Sequence, residues 1–403
     1  MPLTKEKFKI LILPSWYLPD GGGFFKDHAE ALNAGKYSVD VLVNRVLGVS
    51  RHSLYQIIVS RRFRESIEGP LRVFRSGYLK WPLMEKRNLK GWVNKYLDVY
   101  EKYIEKCGQP DIIIAHSSIW AGYVAARIKE IYSIPYILVE HRSRFARDVE
   151  AAQKMIREWY FPFVRSSLVK ADKIVTVSEA IDNQIISISP GIRNKISTIP
   201  NLIDTDFFTL PEKPRGKEPF IIVSFGILEY VKGFDILIRA FAEFNRRFDG
   251  EFFLRIGGRG TKFRKLRQLA TELGVGDRVS LHGYVPREEV KREMQLANLF
   301  VLPSRFEAFG VVLIEAMATG CPVISTYSGG PEFIVKGNCG LLVKPDDVEQ
   351  LTDALAEIYQ QYDSYDPEII RQEVVKNYTK EVIRDRYHQL IMEIFNEKGI
   401  SSK

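Results

Sequence analysis

Cysteine is scarce in this chain. Cys107, Cys321 and Cys339 are the three among 403 residues, far apart and without CxxC spacing, so neither a disulfide framework nor a zinc cluster is expected, and a reducing cytoplasm fits. Long apolar runs are missing as well: stretches such as Ile112-Ile113-Ile114-Ala115 fall far short of the roughly 20 residues that cross a bilayer. No secretory leader is expected ahead of Phe8. Short-period repeats and low-complexity tracts are absent. What is present is the balance of a globular chain, 45% hydrophobic and 27% charged, which excludes a disordered tail or a collagen-like fibre. At roughly 100–200 residues per domain, two domains are expected.

Acidic residues thin out in one place. Between Arg51 and Lys95 only Glu65, Glu68 and Glu85 oppose Arg51, Arg61, Arg62, Arg64, Arg72, Arg75, Lys80, Lys86, Arg87, Lys90 and Lys95, a local surplus equal to the formal net charge of the whole chain, +8. Phe63, Phe74, Tyr78, Trp81, Leu83, Met84 and Trp92 are interleaved with these charges. Basic heads attract phosphate while aromatic rings rest at an interface, so 51–95 suits a peripheral contact with an anionic membrane. A solvated helix and loop is the plainer reading and stands beside it. No helix-turn-helix, RNP or finger pattern accompanies the charge, and nucleic acid is not expected as a partner.

Short β-branched runs alternate with stretches of helical length almost throughout. Strands are predicted at 8–13, 39–44, 111–115, 136–140 and 173–177, with helices at 25–33, 119–132 and 153–170. A proline-rich, charged break follows at 210–219, and the alternation then restarts. The second set places strands at 220–225, 252–256, 279–281, 299–302 and 322–325, and helices near 234–247, 262–272, 287–295, 311–318 and 347–360. The fold class is therefore α/β, with two Rossmann-like doubly wound domains facing a central cleft: residues 1–205 and 206–375. The final stretch, 380–397, carries a helical stripe (Val382, Ile383, Tyr387, Leu390, Ile391, Ile394) that needs a surface to pack on.

Three stretches carry candidate chemistry. From Pro303 to Ile324 a strand ends, a loop holds Glu307, and a helix opens near Gly310 with Glu315 in its second turn. Free amides at a helix start and the positive end of its dipole make an anion site. Two flanking carboxylates are suited to sugar hydroxyls and a ribose diol, although solvated glutamates would give the same spacing. In Ser224–Asp235, Gly226 permits close backbone approach, and Lys232 stands at a helix start, where a lysine is favoured only by an opposing anion. The run Gly21-Gly22-Gly23 between the first strand and helix is a flexible turn or a place where amides reach a phosphate across the cleft.

Taken together these stretches resemble glycosyltransferase family 4, the retaining enzymes of GT-B fold. The likeness is strongest in Glu307-Ala308-Phe309-Gly310 through Glu315, which matches the family's E-x7-E signature. It extends to Ile199-Pro200-Asn201-Leu202-Ile203-Asp204, Leu281-His282-Gly283-Tyr284-Val285, Gly329-Gly330-Pro331-Glu332, Val139-Glu140-His141 and Val177-Ser178-Glu179. The opening Pro14-Ser15-Trp16-Tyr17, with glycines and then Phe24-Phe25, is similar to bacterial members that build surface polysaccharides. The resemblance implies that the segment 376–403 joins the first, acceptor-side domain and that 206–375 binds a nucleotide sugar. By the same analogy Glu307, His141 and Lys232 are catalytic. Gly22, Gly23, Gly226, Lys232, Glu307, Phe309, Gly310 and Val311 lie about the donor, Glu315 takes its ribose, and Gly283, Tyr284 and Val285 border its base. One position departs from the family: the phosphate-binding arginine expected after Gly226 is Ile227, which leaves Arg259, Arg305, Arg142 or Arg144 as replacements.

The function expected from the resemblance is transfer of a sugar from a nucleotide-diphosphate donor to a hydroxyl acceptor, with retention and without a metal or other cofactor. The acceptor is expected to be a glycan or a lipid-linked molecule in cell-surface polysaccharide or glycolipid biosynthesis. The location implied is the cytoplasm, at the inner face of the cell membrane. A nucleotide-sugar epimerase, a phosphorylase and a non-catalytic nucleotide-sugar-binding scaffold share the architecture and stay open at this stage. Asp204-Thr205-Asp206 spells a metal-binding D-x-D but reads better as a turn. His116-Ser117-Ser118 reads as a buried or cleft-lining histidine rather than part of a triad. Gly257-Gly258-Arg259-Gly260 reads as a strand-to-helix turn rather than a dinucleotide fingerprint.

Overall fold

The computed structural model describes residues 7–18, 23–48, 54–141 and 158–399, so Gly22, Arg51, Arg142 and Arg144 lie outside the described residues. Strands β1 (Phe8–Pro14), β2 (Tyr37–Gly48), β3 (Arg64–Glu68), β4 (Leu71–Lys80), β5 (Ile112–His116), β6 (Tyr136–Glu140), β7 (Lys173–Thr176) and β8 (Ile196–Thr198) build the first sheet. Their order is β3-β4-β2-β1-β5-β6-β7-β8. Its pairs run parallel except β3 with β4. Helices α1 (Gly23–Leu32), α2 (Leu54–Ser60), α3 (Glu85–Cys107), α4 (Ala121–Tyr132), α5 (Phe161–Lys170) and α6 (Glu179–Ile188) accompany it. The central strands are buried along their length, β5 and β6 at every position, because helices cover both faces; their sequences are accordingly continuous apolar runs.

The second sheet is six-stranded and wholly parallel. It comprises β9 (Phe220–Phe225), β10 (Phe252–Gly257), β11 (Val279–His282), β12 (Leu299–Leu302), β13 (Val323–Thr326) and β14 (Gly340–Val343), ordered β11-β10-β9-β12-β13-β14. With α7 (Phe234–Arg247), α8 (Phe263–Glu272), α9 (Arg287–Leu296), α10 (Val311–Ala318), α11 (Pro331–Ile334) and α12 (Val348–Gln360), this is a doubly wound domain whose strand order reverses between β9 and β12. The proline-rich connection ahead of β9 is held in place, since the Arg215 guanidinium donates to the carbonyls of Gln295, Gly320, Met294 and Thr319.

The chain ends through α13 (Pro367–Tyr378) and α14 (Lys380–Glu397). Ile383, Tyr387, Leu390, Ile391, Ile394 and Phe395 of α14 are buried in one cluster with Ile10, Ile12 and Phe25 of the first domain. Each such side chain contributes about 1.5–3 kcal/mol by leaving water. The helical stripe therefore packs on the first sheet. No described helix is long and apolar enough to cross a membrane.

The segment 51–95, read either as a membrane contact or as a solvated helix and loop, is in large part folded into the first domain. It contains β3, β4 and the first half of α3, and Phe74 and Trp92 are fully buried. Two of its cations are spent inside the fold: Arg72 makes paired bonds of 2.9 and 2.7 Å to the buried Asp40, and Arg75 pairs with Glu68. Exposed parts of the segment include Arg61, Arg62 and Arg64 and the turn between β4 and α3, with Trp81 at 55%, Leu83 at 102% and Met84 at 46% of full accessibility.

Candidate active site

Ligands bind doubly wound sheets outside the strand carboxyl ends at the point where the order reverses. In the second sheet that point is between β9 and β12, and the loops leaving these strands bring together the residues singled out in sequence. After β9, a 3₁₀ turn (Tyr230–Lys232) ends in Gly233, whose left-handed φ of 65° leads into α7. A Cβ at Gly233 would stand 2.0 Å from the Pro303 carbonyl oxygen, so glycine alone lets the two loops touch. Lys232 reaches back over Gly226 and forms an ion pair with Glu307, whose carboxylate also accepts a 3.3 Å bond from Ser304. Both members are largely enclosed, at 18% and 13% exposure.

Arg305 holds this arrangement. Its guanidinium, 8% exposed, bonds Asp235 at 2.9 and 2.8 Å, Asp346 at 2.6 Å and the Tyr230 carbonyl at 2.5 Å, and it stacks on the Tyr230 ring at 3.8 Å. Its amide donates to the Val231 carbonyl at 2.8 Å. With every face engaged, Arg305 is a rivet between the two loops and is not a free phosphate cation. Arg259 is differently placed: its guanidinium lies 5.0 Å from the ring centre of the exposed Tyr284. Its carbonyl accepts from the Leu228 amide at 2.9 Å, which fixes it beside Ile227.

Helix α10 opens at Gly310, in a left-handed conformation with φ 99°. The approach to it is backbone on backbone: the Glu307 amide donates to Ser328 at 3.0 Å, and the Gly330 amide to the Glu307 carbonyl at 2.8 Å. A Cβ at Gly330 would fall 2.3 Å from Phe309 Cα. The orphan amides at the start of α10 thus sit beside Lys232, donors suited to an anion, with the Glu307 carboxylate next to them as an acceptor. Glu315, half-buried in α10, has its carboxyl pushed up to about 7; burial is the main cause, with Arg287 opposing it and Asp27 adding to it. Arg287 on α9 reaches across to Asp27 on α1 at 3.2 and 3.4 Å, bringing the two domains together next to Glu315. Gly283, Tyr284 and Val285 follow β11, and the Gly283 carbonyl accepts from Gly258 at 2.9 Å.

The first domain contributes an imidazole chain at the carboxyl ends of β5 and β6. His28 Nδ1 lies 3.3 Å from His116 Nε2, His116 Nδ1 2.8 Å from His141 Nε2, and His141 Nδ1 3.1 Å from Asn201 Oδ1. Burial pushes all three histidines far below their ordinary range, His28 and His141 to about 3. His141 is therefore neutral with both ring nitrogens engaged inside its own domain. Gly23 begins α1, and Phe24 and Phe25 lie edge-on to His141 at 5.0 and 5.2 Å. Just before α6 the Ser178 hydroxyl donates to the Ala308 carbonyl, so the first domain meets the Glu307 loop directly.

His28, Asn201, Asp27 and Arg287 were not singled out in sequence as parts of a site. Asn201 lay in a quoted stretch, whereas nothing local marks the other three. The remaining sequence features fall where expected. Asp204 accepts from the amides of Asp206 and Phe207 and pairs with Lys380 at 2.8 Å, as a turn does. His116 is wholly buried, and Ser118 is taken by Glu140 at 2.6 Å. Among the described residues no group of three His, Cys, Asp or Glu side chains is arranged to hold a metal ion.

Comparison with known proteins gives two family matches, Glycosyltransferase Family 4 over residues 24–207 and Glycosyl transferases group 1 over 207–381. A D-inositol 3-phosphate glycosyltransferase from Mycolicibacterium smegmatis is 28% identical over 260 residues, 61% of this chain and 59% of that protein. Sucrose-phosphate synthase from Thermosynechococcus elongatus superposes with a TM-score of 0.78 at 22% identity, covering 96% of this chain and 100% of the other. Anabaena HepE, in complex with UDP and glucose, superposes with a TM-score of 0.71 at 17% identity, covering 96% and 100%.

Proposed function

This chain belongs to glycosyltransferase family 4 and has the family's GT-B fold; on that premise we propose that it moves a sugar from a nucleotide-diphosphate donor to a hydroxyl acceptor with retention of configuration. The observation that carries the reading is the meeting of Lys232 and Glu307 beside the open end of α10, at the switch point of the second sheet. In the free protein these two side chains satisfy each other. A donor separates their tasks: its diphosphate takes the Lys232 ammonium and the amides of Phe309, Gly310 and Val311, and the released Glu307 carboxylate accepts from the sugar hydroxyls.

Departure of the diphosphate is the demanding step. Charge-assisted hydrogen bonds of about 1.5–3 kcal/mol each strengthen as the leaving group gains charge, which is the source of rate enhancement. The departing phosphate guides the acceptor to the face it leaves, giving retention without a covalent sugar–enzyme intermediate. Arg259 supplies the second cation in place of Ile227, with Tyr284 beneath it and the base along Gly283–Val285. Glu315 as a carboxylate takes the ribose diol. His141 bounds the sugar site as a neutral imidazole, its one N–H at Nδ1 donated to Asn201 and its tautomer thereby fixed, and it carries no net charge at neutral pH. The diphosphate charge is met by amides and cations, so activity is expected to persist in chelator.

The named relative uses an inositol phosphate, and HepE was solved with UDP and glucose. The HepE ligands support a nucleotide sugar as donor, and the base and sugar are left to experiment. We place the reaction in surface-polysaccharide or glycolipid synthesis at the inner membrane face, with the exposed Trp81–Met84 turn as the membrane contact. The test is a screen of nucleotide sugars with lipid-linked and glycan acceptors, reading nucleotide release and the anomeric configuration of the product by NMR. A retained configuration is expected; conversion of the nucleotide sugar without acceptor would instead identify an epimerase.

A further inference from the structure

We infer that the groove between the start of α3 and the start of α5 is the acceptor site, and that it takes the phosphate-bearing end of a lipid-linked acceptor. The inference deepens the transferase reading and rests on it. The groove, of about 800 Å³, has Trp81, Trp159 and Phe163 on its apolar side and Lys86, Arg87 and Lys90 along its rim.

Its place in the fold is the first argument. β4 runs parallel to β2, as β2 does to β1 and β1 to β5, so Lys80 at the end of β4 lies on the same sheet edge as His116 and Glu140. That edge carries the imidazole chain and, through Ser178, meets the Glu307 loop. The groove therefore opens at the same carboxyl-end side of the first sheet as the crevice where the donor is proposed to bind.

Charge is the second argument. Lys86, Arg87 and Lys90 form no ion pair among the described residues, whereas Arg72 and Arg75 of the same segment are paired with Asp40 and Glu68. All three cations stand in the first two turns of α3, where Glu85 is the one acidic residue of the first turn, so this end of the helix carries a surplus of two positive charges for which an anion is the natural counterpart. Lys86 Nζ lies 5.9 Å from the Trp159 ring centre, so cation and ring share the groove. Shape is the third. A Cβ at Gly91 would meet Tyr78 Oη at 2.4 Å, so glycine lets Tyr78 lie flat against α3 and form the floor. At the lip, Trp81, Leu83 and Met84 present large apolar side chains to the outside, as a site fed from a bilayer requires. An uncharged soluble glycan would use neither the cations nor the lip.

The probes are short-chain phosphatidic acid, the matching uncharged diacylglycerol and inorganic phosphate, with binding to the full chain followed by tryptophan fluorescence. Phosphatidic acid is expected to bind at least tenfold more tightly than either of the others. The pair Lys86→Glu and Lys90→Glu is expected to abolish that preference, and Trp159→Ala to weaken binding by about tenfold. Thermal-shift binding of nucleoside diphosphates, measured on the same proteins, is expected to be unchanged and separates the two claims. If nucleotides bind while phosphatidic acid binds no better than diacylglycerol, or binds the charge-reversed protein equally, the groove assignment is overturned and the donor site stands. Binding of inorganic phosphate as tight as that of phosphatidic acid would overturn the lipid component.

Discussion

Glu315 offers a prediction whose size follows from its surroundings. Burial, reinforced by Asp27 and opposed by Arg287, pushes its carboxyl to about 7 in the free protein. If the ribose diol binds only the carboxylate, the observed dissociation constant is multiplied by one plus the protonated-to-ionised ratio. That factor is about 11 at pH 6, about 2 at pH 7 and about 1.1 at pH 8. Donor affinity should therefore tighten roughly tenfold from pH 6 to pH 8, with about half a proton released per donor bound at pH 7. Isothermal titration with an intact nucleotide sugar reads both quantities, because its diphosphate does not titrate in this range. Repeating it in buffers of different ionisation enthalpy gives the proton count. Glu315→Gln should flatten the profile, and Asp27→Asn should move the inflection to lower pH by removing a charge that raises the Glu315 pKa. A dissociation constant independent of pH, or the same slope in Glu315→Gln, would refute the assignment.

Three further outcomes follow from the geometry. Arg305→Ala leaves Asp235 and Asp346 without their cation and should cost about 1–3 kcal/mol, discounted because both carboxylates are partly exposed, with thermal denaturation as the check and a fall in kcat as Lys232 loses its support. The buried histidines resist protonation: their folded-state pKa lies below the unfolded value of about 6.5, so stability is fully present above pH 6.5 and declines as pH falls, by up to about 1.4 kcal/mol per pH unit per histidine. Thermal midpoints between pH 7 and pH 5 should accordingly drop less in His28→Leu than in the parent. Arg259→Ala should weaken nucleotide-sugar binding about tenfold, and adding Ile227→Arg should restore it; failure of the restoration would remove Arg259 from the phosphate site.

Much of this architecture was legible in the chain because both sheets are covered on both faces, so most of their central strands, such as β1, β5, β6, β9 and β12, are largely apolar runs between helices with one apolar stripe. The helices Phe234–Arg247, Val311–Ala318 and Lys380–Glu397 fall at the predicted positions for this reason. β4 was not legible. Arg72 and Arg75 interrupt Leu71, Val73 and Phe74, and their charges look solvated until Asp40 and Glu68, distant in sequence or on the neighbouring strand, are seen to neutralise them. The same limit applies to Arg305, whose partners Asp235 and Asp346 lie 70 and 41 positions away and turn an apparent phosphate cation into a rivet. The imidazole chain spans separations of 88 and 25 residues, which no local pattern records. The Lys232 and Glu307 motifs were visible singly; their ion pair is a property of the loops that Gly233 allows to touch.

The central claim is tested most directly by a crystal structure of the protein with a bound nucleotide sugar. The diphosphate is expected within hydrogen-bonding distance of the Gly310 and Val311 amides and of Lys232 Nζ, with the Lys232–Glu307 pair opened and Glu307 turned to the sugar. A nucleotide bound elsewhere, or bound with that ion pair undisturbed, would contradict it.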